Sequence, residues 1–216
     1  MKTYIIKILA AVIMFATADF CYLCLAEQTN GKPAAIRANE NDIKAAFLYN
    51  FVLFTDWPEG KVAEPNTITI GLLGEHPFGD AFDPIKDKTV KNQQLIIKNL
   101  GRFRKSFPSD DAGKLEFANY IEQLRKCHVL FICDSEHENY KAILDAVKGY
   151  GVLTVGETED FLDINGIITF VPGTEKIVFE VNQKVCEHEG LKISSKVLRL
   201  ARKVITDKDP DTDKNK

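Results

Sequence analysis

Six short apolar runs, five to eight residues each, limit what this chain can become more than any other feature. They are "TITIGLLG" (67–74), "QQLIIKNL" (93–100), "CHVLFIC" (127–133), "VLTVG" (152–156), "GIITFV" (166–171) and "KIVFEVN" (176–182). Their length and β-branched content mark strands, and near-continuous apolarity in the middle ones marks strands covered on both faces. Between the early runs lie helical or turn-rich segments long enough to carry a crossover, which is what parallel pairing requires. The last two runs are joined by "PGTE" alone, so they pair as an antiparallel hairpin. The expected fold is therefore α/β: a single three-layer domain around a mixed, mostly parallel sheet of about six strands, flanked by helices, with a C-terminal β-hairpin.

The helices follow from the same pass. "IKAAFLYNFVLFTDWP" (43–58) reads as a helix from Ile43 to Thr55, capped near Asn39–Asp42 and stopped at Trp57-Pro58. Between Ala45 and Phe54 its one polar residue is Asn50, so nearly its whole circumference needs cover, from its own domain or from a partner. "HPFGDAFDPIKD" is a short helix or helical turn, and "GRFRKSFPSDDAGK" (101–114) an irregular excursion ahead of a helix at 115–126. "SEHENYKAILDAVKGYG" opens with Ser135 and Glu138 in capping-box spacing. "QKVCEHEG" and "LKISSKVLRLARKVI" (191–205) read as two further helices, with Ser194-Ser195 suited to an N-cap.

The N-terminus points to export. Lys2 and Lys7 precede an apolar run from Ile8 to Ala18, too short to span a bilayer, and cleavage sites are offered after Ala18 and after Ala26. The expected organisation is a secretory signal over 1–26, a flexible lead-in over 27–40, the domain over 41–205 and a disordered tail over 206–216. Formal net charge is −3 and no block of Lys or Arg stands unopposed, which argues against nucleic acid as a partner. Of five cysteines, Cys127, Cys133 and Cys186 lie within the domain. Cys127 and Cys133 are too far apart along one strand to bridge, leaving a bond from either to Cys186 open.

No chemistry of catalysis emerges. The glycine-rich turn after the first strand lacks G-x-G-x-x-G and G-K-[ST] spacing, no G-x-S-x-G is present, and Cys21-x-x-Cys24 falls in the signal or in an unfolded mature tail, far from any strand-to-helix turn. His137 and His188 have carboxylate neighbours but no metal-ligand spacing. The sequence predicts neither an enzyme, a metal site nor a cofactor. A small-ligand site at the strand C-termini near Gly74 and Ser135 is the second class of function left standing.

Taken in order, "IKAAFLYNFVLFTDWP", "ITIGLLGEHPFG", "CHVLFICDSE", "VLTVGETEDFLDINGIITFV", "KIVFEVN" and "GLKISSKVLRLARKV" resemble the YfiR family of small exported proteins, over about Asp42 to Val204. The resemblance implies a non-enzymatic periplasmic regulator. It would bind and repress the extracytoplasmic sensory region of a membrane-bound diguanylate cyclase, lowering cyclic di-GMP and biofilm formation; a sensor histidine kinase is the alternative partner. It also implies a homodimer, a possible small-molecule effector and, in some relatives, redox-sensitive disulfides, for which Cys127 and Cys186 are the candidates here. Cys133 and Cys186 do not obviously reproduce the family's pairing. On this reading the partner-binding surface combines Tyr49, Phe51, Phe54 and Trp57 of the aromatic segment with Glu180, Asn182, Lys192 and Arg199.

Overall fold

A computed structural model describes residues 34–61, 66–173 and 177–207. The chain divides into two compact units, Met1–Arg37 and Ala38–Lys216. The first lies almost wholly outside the described residues, as do the expected signal peptide and most of the tail.

Helix α1 runs Ala34–Phe54. It therefore starts before the expected Asn39–Asp42 cap, and residues 34–40, expected as a flexible lead-in, are helical; "AAIRANE" contains no Gly or Pro to oppose it. The strands are β1 (Thr55–Asp56), β2 (Thr67–Leu73), β3 (Thr89–Val90), β4 (Gln93–Gly101), β5 (Val129–Ile132), β6 (Leu153–Gly156), β7 (Ile168–Pro172), β8 (Ile177–Asn182), β9 (Lys192–Ile193) and β10 (Lys203–Ile205). The remaining helices are α2 (Asp111–Arg125), α3 (Tyr140–Val147), α4 (Gln183–His188) and α5 (Ser195–Leu198). Helix α2 begins four residues earlier than expected because the Asp110 carboxylate accepts from Gly113 N–H and caps it.

Eight strands form one sheet in the order β10-β8-β7-β6-β5-β2-β4-β3. Pairings β2/β4, β2/β5, β5/β6, β6/β7 and β8/β10 are parallel, while β7/β8 and β3/β4 are antiparallel. The mixed, mostly parallel sheet and its hairpin agree with expectation, with two more strands than the sequence showed. Strand β3 is a two-residue return through Lys91 and Asn92, both at positive φ.

The extra strand at the other edge corrects the helical reading of 191–205. Lys203–Ile205 pairs with Glu180–Asn182, and Lys192–Ile193 pairs antiparallel with Thr55–Asp56 in a separate two-stranded ribbon. Only Ser195–Leu198 stays helical, with the Ser194 hydroxyl capping it as expected. Distant strand partners outweigh a local 3.6-residue period that never gathered enough length to hold a helix.

The sheet separates two cores. On one side α1 packs Ala45, Leu48, Phe51 and Val52 against Ile70, Phe131, Phe170 and Phe179. On the other, α2 and α3 bring Ile121, Leu124, Ile143 and Val147 against Leu130, Ile132 and Phe161. Strand β5 shows why: its odd residues Val129 and Phe131 face α1 and its even residues Leu130 and Ile132 face α2 and α3.

Candidate partner-binding surface

The aromatic segment is chiefly core. Phe51 is 1% exposed, its ring 5.1 Å from that of Phe179 and 6.0 Å from that of Phe170. Large rings stacked on one helix face bury much apolar area, which explains why α1 tolerates so little polarity. Its one deeply placed charge, Lys44, donates to Glu157 at 2.8 Å and to Glu40 at 2.7 Å. Burial works to lower the Lys44 pKa, but the hydrogen bonds it donates to the Glu157 and Glu40 carboxylates, with their charges, outweigh it and hold the pKa above its ordinary value.

The C-terminal end of α1 is where this segment reaches the surface. Ser194 N–H bonds to Phe54 O at 2.8 Å, clamping α5 beside it. Lys196 Nζ sits 5.4 Å from the Phe54 ring centre, within cation–π range. Phe47, Asn50, Phe51, Phe54, Lys196 and Leu200 line a shallow groove of about 110 Å³ here. Leu200 is 67% exposed at its rim, the most exposed large apolar side chain among the described residues.

Trp57 continues this surface along the β1/β9 ribbon. Its indole donates to His128 O at 3.2 Å and meets the imidazole edge-on, while Lys91 bonds to Thr55 O and Asp56 Oδ1 in front of it. His128 Nδ1 accepts from Thr69 N–H at 3.1 Å, so the ring is neutral there, and burial followed by the Lys61 charge pushes its pKa down to about 4.

The eight expected residues therefore divide. Phe51 and Phe54 share the groove, with Arg199 exposed on the turn beside Leu200. Trp57 and exposed Lys192 lie along the ribbon, where Lys192 pairs with Asp56. Tyr49 is half-buried under Lys88, 5.3 Å from its ring centre. Glu180 and Asn182 have internal work: Glu180 is bonded to Arg202, and Asn182, 8% exposed, caps α4 through Val185 N–H. Lys196 and Leu200 are additional to the expected eight: the helix ends at Leu198 instead of running on to 205, and the turn after it leaves Leu200 pointing outward.

The thiols do not bridge. Cys127, Cys133 and Cys186 are buried and free, and the pair considered, Cys127 and Cys186, falls in cores on opposite sides of the sheet. Burial pushes their pKa values up to about 11, 12 and 12, leaving little thiolate.

The crevice at the strand C-termini is filled by protein. Ser135 does not cap the expected helix, which begins only at Tyr140, but accepts from Glu75 N–H at 2.9 Å, and Cys133 Sγ donates to Glu75 O. A Cβ on Gly74, which sits at φ +101°, would meet Ser135 Oγ at 2.7 Å and Cys133 Cβ at 2.8 Å. At the opposite end a cleft of about 570 Å³ opens beside Lys61, Arg125 and Glu189. Two of its cations are already engaged: Lys61 Nζ donates to Arg125 O and Tyr150 O at 2.7 Å each, and Arg125 stacks on Tyr150 and donates to Ala146 O. Among the described residues no cluster of three or more His, Cys, Asp or Glu could hold a metal, and no helix is long and apolar enough to cross a membrane.

Comparison with known families adds to this geometry. Residues 41–202 match the family described as YfiR/HmsC-like. The chain belongs to this family. The YfiR/HmsC-like proteins are periplasmic regulators and not a known family of enzymes. No curated protein sequence matches the chain significantly. Among solved structures it is similar to an ABC domain in complex with L-Trp from Streptococcus pneumonia, at 13% identity and TM-score 0.45, covering 67% of this chain and 57% of that one. It is also similar to a conserved domain protein from Vibrio cholerae O1 biovar El Tor, at 11% identity and TM-score 0.48, covering 76% and 60%. The chain spans less than two thirds of either structure, and likeness at this level carries no argument about function.

Proposed function

We propose that this YfiR/HmsC-like chain is exported by an N-terminal signal peptide over residues 1–26 and represses a membrane-bound diguanylate cyclase by binding its periplasmic sensory region. The observation that carries the reading is family membership over 41–202, joined to a domain whose strand-end crevice is packed shut. With that crevice filled by Ser135 and Cys133, a macromolecular surface is favoured over a small-molecule site as the place of action. The groove around Phe54, Lys196 and Leu200, continued by Trp57 and Lys192, offers apolar anchors next to exposed cations. A regulator of this kind needs no catalysis: tighter binding to the inactive form of the sensory region shifts the cyclase population by the ratio of the two affinities.

The test is titration of the mature protein, by calorimetry, with the purified periplasmic region of a diguanylate cyclase from the same organism, beginning with any encoded beside it. Micromolar or tighter binding that weakens at least tenfold in a Leu200→Asp, Lys196→Glu variant is the expected result. Absence of binding by the unaltered protein to every such region would overturn the reading.

A further inference from the structure

The sheet ends at β10 on one side and at β3 and β4 on the other. At the first edge the strand is only three residues long, and the chain beyond it is tied back by an Asp207–Lys184 ion pair. At the other, β3 covers only Gln93 and Gln94 of the nine-residue β4, and Leu95 N–H bonds to Lys88 O. Beyond Leu95 no described strand pairs with the outer side of β4.

The direction of its free groups follows from the pairing. Gln94 N–H bonds inward to Asn66 O, Leu95 N–H bonds outward, and alternation places the N–H and C=O of Ile97 and Asn99 on the outer side. Such an edge is a template for one more strand unless it is blocked. Among the described residues no strand covers it here, and next to it the sheet face between β4 and α2 forms a groove of about 680 Å³ lined by Thr69, Ile96, Lys98, Gln123 and Lys126.

Charge selects the occupant. The whole-chain balance of −3 conceals one basic stretch, which the reading of the sequence passed over: from Lys86 to Lys105 there are seven Lys or Arg and a single acid, Asp87. Lys98 and Lys126, at the groove, enter no ion pair among the described residues. A second copy of the chain would bring the same cations against one another. An acidic segment would meet them with opposite charge.

We propose that the outer edge of β4, at Ile97 and Asn99, takes an extended acidic segment of a partner protein as an added strand, with Lys98 and Lys126 reading its carboxylates. In the cell this partner segment belongs to the regulated sensory region, and to that extent the proposal rests on the function inferred above.

Two arms test it separately. In the first, hydrogen exchange is followed on the unaltered protein with a Val-Glu repeat octapeptide at millimolar concentration, against a Val-Lys repeat. Slowing of the Ile97 and Asn99 amides by the acidic peptide alone, lost in Lys98→Glu/Lys126→Glu, is expected; no slowing overturns the edge. In the second, the same double variant is titrated with the sensory region. An affinity at least tenfold weaker, with a shallower salt dependence, supports the proposal. Undiminished affinity overturns the edge while the regulator reading stands. If the sensory region fails to bind even the unaltered protein, the regulator reading falls and the peptide arm decides the edge alone. A change of the double variant from dimer to monomer in sedimentation would assign the edge to a second copy and also overturn the proposal.

Discussion

Helices α1 and α2 cover opposite faces of one sheet, and their sequences invite the wrong guess about each. Helix α1 is apolar nearly all round, the pattern of an exposed binding helix as much as of a core one, yet Leu48, Phe51 and Val52 are 0–1% exposed. Helix α2 looks like an ordinary amphipathic surface helix, yet it shows Leu115 at 63% and Phe117 at 45% exposure. The difference lies in what each helix must cover. Strands β7 and β8 present Phe170 and Phe179 toward α1, so aromatic residues interlock across that gap. On the other face Ile121 and Leu124 of α2, flanked by half-buried Tyr120, suffice against Leu130 and Ile132, and Leu115 and Phe117 are left outside the core. Apolarity in a sequence reports how much surface can be buried; the neighbouring layer decides how much is.

The strongest way to break this contrast is truncation of one ring on each helix. Phe51→Ala should cost about 4 kcal/mol, the usual loss for a fully buried aromatic that leaves a cavity. Phe117→Ala, which loses contact chiefly with Phe107, should change stability by under about 1 kcal/mol. Urea unfolding of both variants measures the difference, and similar losses would show that the α2 apolar residues belong to the core after all.

What the sequence could reveal follows the same division. The buried strands were legible because Val129–Ile132 and Ile168–Val171 are apolar on both faces, a local signal. The β7/β8 hairpin was legible because its connection is too short for anything else. Strands β9 and β10 were not, since Lys192–Ile193 and Lys203–Ile205 become strands through partners more than a hundred and about twenty residues away respectively. Ser135 has the spacing of a cap but lies within reach of Glu75 N–H, which tertiary structure alone supplies. At the candidate surface, Phe54 and Trp57 were named from their segment, whereas Leu200 emerges only once the chain around it stops being a long helix.

A second prediction concerns the one charge that α1 carries into its packed face. Removal of Lys44 leaves the Glu157 carboxylate, whose side chain is 13% exposed, without its cation, so Lys44→Ala should destabilise by about 3 kcal/mol. The double variant Lys44→Met/Glu157→Gln should recover much of that loss, because neither partner is then charged. Recovery below a quarter of the loss in thermal unfolding would mean that the pair is replaceable by neither shape nor polarity.

Acid should weaken the α1 side where its end meets β5. An imidazole in the unfolded chain takes up a proton near pH 6.5, whereas His128 in the folded protein does so only near 4. Between these values the unfolded state holds more protons than the folded one, so stability falls as pH drops from 6.5 towards 4. The expected loss between about pH 7.5 and pH 5 is about 2 kcal/mol from this residue. His128→Asn retains an acceptor for Thr69 N–H but cannot titrate, and it should flatten the profile by that amount.

The smallest effect distinguishes the faces without changing stability. All three domain thiols are buried, with pKa values raised by burial, so none should react quickly with Ellman's reagent in the native protein. Cys133 and Cys186 sit within the α1-side core, while Cys127, though equally buried, borders the groove between β4 and α2. An opening of α2 by a few ångströms exposes Cys127, whereas exposing the other two requires breaking the aromatic core. Cys127 should therefore be the first of the three to be labelled, and its Ser variant should remove the earliest kinetic phase. Earliest labelling at Cys186 would reverse the contrast, marking α1 and its neighbours as the looser layer.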